Sequence, residues 1–265
     1  LNMSRGARGI SLHSEEYFRY GARGIDPDPD RVMKLTRMAY GLVKRYDRSA
    51  RITTDFTTAA VVVQSPRLVR EVAEHMNEGG MWSFIEMGIE TASPRLVERY
   101  MRGKALPYRP VQSPDIVKEA IGILNDNRWI VVGTMIVNFP GETEEDIAAN
   151  LELLDDLRDL RVITFPLPLV PVAAFRKKGF TALDEILLDD LRRELILRAL
   201  LKAFQDLETS TRLVMEGVES PLLRHMLQRA GVMMLRIIRR RYERALEGMA
   251  GAAHAAEFRS SAGEV

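Results

Sequence analysis

Apolar residues along this chain follow two rhythms: short unbroken runs, and longer stretches where they recur every three or four positions. The runs predict strands and the recurrences predict amphipathic helices. Gly9 to His13 reads as a short strand, and Ser14 to Gly21 as a turn. After the proline-rich entry Asp26 to Asp30, with Asp30 as the expected N-cap, a helix carries Val32, Met33, Leu35, Met38, Ala39, Leu42 and Val43 on one face. Arg51 to Thr58 is a β-branched strand, and Ser65-Pro66 opens a helix through Leu68, Val69, Val72, Ala73 and Met76. Trp82 to Glu90 is the next strand, and Ser93-Pro94 opens a helix by the same device.

Gly103 to Pro114 has three prolines and no periodicity, so it reads as a loop, followed by a helix from Asp115 to Asn125. The apolar run Trp129 to Val137 is a strand ended by Pro140-Gly141. Thr143 is the predicted N-cap of the following helix, with Asp146 three residues on to satisfy free amides, and Ile147, Leu151, Leu154 and Leu157 facing inward. Val162 to Pro171 reads as a strand whose prolines place it at an edge. Beyond Pro171 the chain turns leucine-rich and helical: Thr181 to Leu207, a second helix from Pro221, and Arg236 to Leu246. The Ala-, Gly- and Ser-rich stretch 248–265 is expected to be disordered.

This alternation predicts an α/β fold with parallel strands joined by helices. The predicted organisation is a partial barrel over residues 1–171, a helical extension over 172–247 and a tail over 248–265.

Composition narrows the classes. With 46% hydrophobic and 28% charged residues the chain is an ordinary folded protein, and a net charge of +1 provides no global field for nucleic acid. No apolar run approaches the roughly 20 residues needed to span a bilayer, so a cytoplasmic protein without a membrane partner is expected. No Ser-His-Asp, phosphate-loop or zinc spacing is present. There is no cysteine at all, and the chain starts at Leu1, which together suggest a fragment.

Two motifs carry a resemblance. Gly133-Thr134-Met135-Ile136-Val137-Asn138-Phe139-Pro140-Gly141-Glu142-Thr143 resembles the fifth-strand motif of radical S-adenosylmethionine (SAM) enzymes. Met87-Gly88-Ile89-Glu90-Thr91-Ala92-Ser93, with Leu96 and Met101-Arg102-Gly103-Lys104 after it, resembles the fourth-strand motif. The resemblance covers residues 9–171, within the branch shared by elongator-type, methylthiotransferase and cobalamin-binding members.

It implies an open (β/α)6 TIM-like barrel lacking its first strand and carrying a helical C-terminal extension. It also implies an enzyme that cleaves SAM reductively at a [4Fe-4S] cluster to a 5′-deoxyadenosyl radical, with ferredoxin or flavodoxin as reductant. The three cluster thiolates would precede this chain, which is therefore expected to be inactive alone. A cobalamin-binding domain in the parent belongs to the same expectation. The alternative is a cluster-free scaffold or nucleotide-binding protein of the same fold.

Active sites of parallel β/α barrels lie at the C-terminal strand ends. The expected SAM contacts there are Ile136, Val137, Asn138 and Phe139 for adenine, and Glu90, Asp55, Glu15 and Thr54 for ribose and ammonium. Arg102 or Lys104 is expected to neutralise the SAM carboxylate. Structural readings stand beside these: Glu90 as a helix cap, Glu142 as a turn carboxylate and His13 as a lone hydrogen-bonded residue. The arginines from Arg236 to Arg244 read as a solvated helix face, although they would also suit RNA phosphates. The substrate is left open.

Overall fold

The computed structural model describes residues 2–169, 189–215 and 220–262, with side chains of the last segment through Arg241 and at Arg244. Six strands are present among them: β1 (Gly9–Leu12), β2 (Arg51–Thr54), β3 (Phe56–Thr57), β4 (Ser83–Glu90), β5 (Trp129–Val137) and β6 (Val162–Pro168). Eight helices accompany them: α1 (Pro29–Tyr46), α2 (Ala59–Gln64), α3 (Pro66–Met76), α4 (Pro94–Tyr100), α5 (Ser113–Asp126), α6 (Glu144–Asp156), α7 (Asp190–Val214) and α8 (Pro221–Ala262).

All pairings are parallel, in the order β1-β2 and β3-β4-β5-β6. The predicted strand Arg51 to Thr58 is broken at Asp55. Its first half pairs with β1, its second with β4, and the Asp55 carbonyl accepts from Glu86 N at 2.7 Å across the break. The result is the open wall of a partial barrel, with a free edge at β1 and another at β6 among the described residues.

The convex face of this wall carries the main core. Ile85, Met87 and Ile89 of β4 and Trp129, Val131, Met135 and Val137 of β5 are buried against the helices. Phe18 meets Trp129 edge-to-face at 6.0 Å. Full burial of such side chains contributes roughly 1.5–3 kcal/mol each. On the concave face, Thr53, Asp55, Phe84, Glu86 and Val132 border a cavity of about 490 Å³. Ile130, Ile163 and Ala203 close its lower end, with Trp82 and Val214 packed beside them. α7 packs on the barrel wall: Leu195 and Ala199 join the main core and Thr164 Oγ1 donates to the Ala199 carbonyl at 2.6 Å.

Several expectations shift. Asp28, not Asp30, caps α1, because Pro29 takes the first helical position and Asp28 accepts from Arg31 N at 3.1 Å. α2 was hidden in the approach to Ser65-Pro66. Tyr17 and Phe18, read as turn residues, are 1% and 0% exposed, on a 3-10 turn. The loop Gly103 to Pro114 contains two further 3-10 turns. Leu153 joins Ile147, Leu154 and Leu157 inside, while Leu151 is half-buried. The helix from Pro221 is continuous to Ala262, where the alanine-rich run is a strong helix former. The predicted boundary at Pro171 and helix start at Thr181 lie outside the described residues.

Candidate functional site

β4 and β5 end in the same unusual way. Glu90 has φ 64° and Asn138 φ 71°, left-handed values that cost a non-glycine residue about 1–2 kcal/mol. Strain of this kind persists only where surroundings enforce it. At β4 a register shift between Gly88 and Glu90 starts the deviation, and the next three residues are fastened to α6. Asn150 Oδ1 accepts from Ala92 N at 2.6 Å and from Thr91 Oγ1 at 3.2 Å. Asp146 accepts from Ser93 Oγ and from Arg95, while closing the predicted capping box with Thr143 N at 2.8 Å. Burial opposes ionisation of Asp146, but these bonds outweigh it and hold the carboxyl at about 2.

Glu90 is thereby turned toward Lys104, with which it forms a half-buried ion pair. Gly88 lies under the pair, and a Cβ added there would collide with the carboxylate and the ammonium. At β5, Asn138 N donates to Glu142 Oε2 at 3.2 Å, and Arg192 of α7 pairs with the same oxygen at 3.0 Å. The Glu142 side chain is fully buried, which raises its pKa, and its Oε1 has no partner among the described residues. Phe139 is 5% exposed and stacks on Tyr100 at 5.5 Å. Val132 faces the cavity, so strand alternation puts Thr134 and the half-buried Ile136 on that face and Val137 on the core face.

A second cluster lies lower. His13 bonds Asp55, whose other oxygen accepts from Ser14 N at 3.4 Å; the bond and charge of Asp55 raise the His13 pKa above 6.5. Asp55 precedes Phe56, which pairs with Glu86, so Asp55 is level with Ile85. Glu90 is five residues further along, roughly 15 Å at the usual strand rise. A ligand touching both must span that length. Thr54 is buried with its hydroxyl donated to the Leu12 carbonyl at 3.1 Å, Glu15 is exposed, and Arg102 is paired with Glu98 at 3.1 Å on the outer surface. The cation beside Glu90 is thus Lys104 rather than Arg102.

Glu16, which the sequence marks only as the end of the stretch His13 to Glu16 after the first strand, accepts from Thr58 N at 2.7 Å and Thr57 Oγ1 at 3.0 Å and so ties the end of β1 to the start of α2. Burial raises its pKa against those bonds. Sequence reasoning passed over Asn150, a polar residue on an apolar helix face, which was the available signal.

The model of the Radical SAM superfamily matches residues 22–154. The chain is 37% identical over 186 residues to the ribosomal protein uS12 methylthiotransferase RimO of Deinococcus radiodurans, covering 63% of this chain and 34% of that protein. It is 36% identical over 89 residues to the uncharacterized methyltransferase PH0819 of Pyrococcus horikoshii, covering 33% and 17% respectively. It therefore spans about a third or less of the length of these relatives.

Proposed function

The chain belongs to the radical SAM superfamily, and we propose that it forms the SAM-holding wall of such an enzyme, with SAM seated across the ends of β4 and β5. The observation supporting this most directly is the Glu90–Lys104 pair over Gly88, a carboxylate and an ammonium at the end of β4, where Glu90 is in register with Met135 of β5. The residues fit the ligand. Glu90 suits a ribose hydroxyl or ammonium group, Lys104 a carboxylate, and Ile136 with the Asn138 backbone an adenine. The absence of a side chain at Gly88 is what lets the Glu90–Lys104 pair sit against the strand.

Held there, SAM would supply radical chemistry on reduction, and the task of Glu90, Lys104, Ile136 and the Asn138 backbone would be to orient it and exclude water. The iron-sulfur cluster that delivers the electron is held by thiolates. This chain has no cysteine, so its residues do not fit that cluster, and the ligands would come from outside it. The reductant, such as ferredoxin or flavodoxin, would act through that part. A cobalamin-binding domain gains no support from the residues or from the relatives.

The same absence of cysteine favours one second reading: a cluster-free protein that binds SAM or another nucleotide without reducing it. Calorimetric titration of SAM into the chain tests the shared part, and saturable binding weakened by Glu90→Gln is expected. No saturable binding would remove SAM from this wall, and binding that ignores the substitution would remove Glu90 from the site. Iron and sulfide analysis of the anaerobically reconstituted gene product containing the chain separates the two readings. About four irons with SAM cleavage on reduction supports the enzyme, and a cluster-free product supports the binder.

A further inference from the structure

The near-zero net charge conceals a segregation in α8. From Pro221 to Arg241 there are six arginines and one histidine but no aspartate or glutamate. The helix packs on α7 through Gln228, Gly231, Val232 and Leu235, and a Cβ on Gly231 would meet Thr211 at 3.2 Å. Large apolar residues crowd the other side. Leu222, Leu223, Met226, Met233, Ile237 and Ile238 are all exposed, Leu222 to 71% and Met233 to 65%. At 3.6 residues per turn they fill an unbroken arc of about 160°, nearly opposite the α7 contact. Exposed apolar patches of this size mark interaction surfaces.

Charge decides what covers it. His225, Arg229, Arg236 and Arg240 form a row between the arc and α7, beside a groove of about 730 Å³. Arg236 reaches Glu208 at 2.7 Å, and Arg241 closes the arc at its C-terminal end. In an antiparallel two-fold helix pair with a second copy one such row would meet the other, which like charges oppose, and in a parallel pair neither row would meet an acid, since this part of α8 has none. A single partner helix covers a stripe of about 100°, narrower than this arc. RNA would use the arginines but leave the arc wet, since no described side chain on it is aromatic. A flat surface with an apolar interior and anionic head groups matches both features.

We propose that α8 is an interfacial helix that lays this arc on an anionic phospholipid bilayer, with its arginine row among the lipid phosphates. The helix rests on the surface, consistent with the absence of any described helix long and apolar enough to cross a membrane. It revises, for this one face, the expectation of no membrane partner.

The test is co-sedimentation of the full chain with vesicles of phosphatidylcholine containing about 30% phosphatidylserine, and with vesicles of phosphatidylcholine alone. Binding to the anionic vesicles only, weakened in roughly 0.5 M salt, is expected. Arg229→Gln with Arg240→Gln should reduce it roughly 25-fold, about five-fold per arginine, and Met233→Glu with Ile237→Glu should abolish it while the helical circular dichroism is retained. Four outcomes would overturn the proposal. They are no binding, equal binding to both vesicle types, a lipid-free dimer dissociated by Ile237→Glu, or RNA binding that survives the glutamate pair without any vesicle binding. None depends on SAM, so the proposal stands or falls separately from the reading of the barrel mouth.

Discussion

Glu90 and Lys104 close an ion pair over Gly88 at the end of β4, and Glu90 holds a left-handed backbone to do so. If the pair reads SAM, Glu90→Gln should weaken binding by roughly 1.5–3 kcal/mol, the scale of a hydrogen bond to a charged group. Calorimetry of the two proteins side by side checks this. An unchanged affinity would place Glu90 outside the site.

Gly88→Ala separates site geometry from folding. Its added methyl meets only the flexible ends of two side chains, so the melting curve should move by about 1 kcal/mol or less while SAM affinity falls at least about ten-fold. Equal losses of both would mean that Gly88 serves the sheet alone.

Asp146 offers an acid-side test. Its carboxyl sits at about 2 against an ordinary 3.8, so the stability that it contributes is present above the unfolded value and is lost as pH falls toward 2. Wild type should exceed Asp146→Asn by at most about 2 kcal/mol at neutral pH, discounted because Arg95 is half-exposed. Urea titrations from pH 7 down to pH 3 should show this margin narrowing below about pH 4. A constant margin would refute the assignment.

Arg192→Ala should behave oppositely. It leaves Glu142 buried without its cation, at an expected cost of about 3 kcal/mol near neutrality. The Glu142 pKa is already raised by burial, so the folded state holds that proton more tightly, an advantage lost as pH rises through the folded value. The cost should therefore shrink in mild acid, and adding Glu142→Gln should recover part of it at pH 7. Denaturant melts of the single and double variants decide.

His13 reports on the lower cluster. Its imidazole should titrate above 6.5 by NMR in the intact chain and return toward 6.5 in Asp55→Asn. The same value in both would mean that the bond does not form in solution.

The strand-helix order and both motif loops were legible in the sequence because each rests on local chemistry: β-branched runs, Ser-Pro starts and the Thr143–Asp146 box. What escaped depended on partners distant in the chain. Tyr17 and Phe18 lie in a stretch as polar as a turn, yet the core takes both. Asn150 gains meaning only when α6 is laid beside the Thr91 loop, and Lys104 outranks Arg102 only because the backbone after α4 aims one cation inward and the other at Glu98. The arc on α8 was visible as an arginine run, but its exposure needed α7 in place.

The break at Asp55 divides the wall into two plates: β1 with β2, and β3 through β6. Every ladder bond lies within a plate, and the plates are linked by the Asp55 carbonyl bond to Glu86 and by the Arg51 guanidinium, which donates to the Trp82 carbonyl at 3.2 Å and to Ser83 Oγ at 3.0 Å. Any change in the separation between the His13–Asp55 pair and the Glu90–Lys104 pair would therefore have to break or stretch these links although it need break no strand pairing. The width of the lumen is thus set by side-chain and single-bond contacts of Arg51 and Asp55, both of which line the space that they hold open.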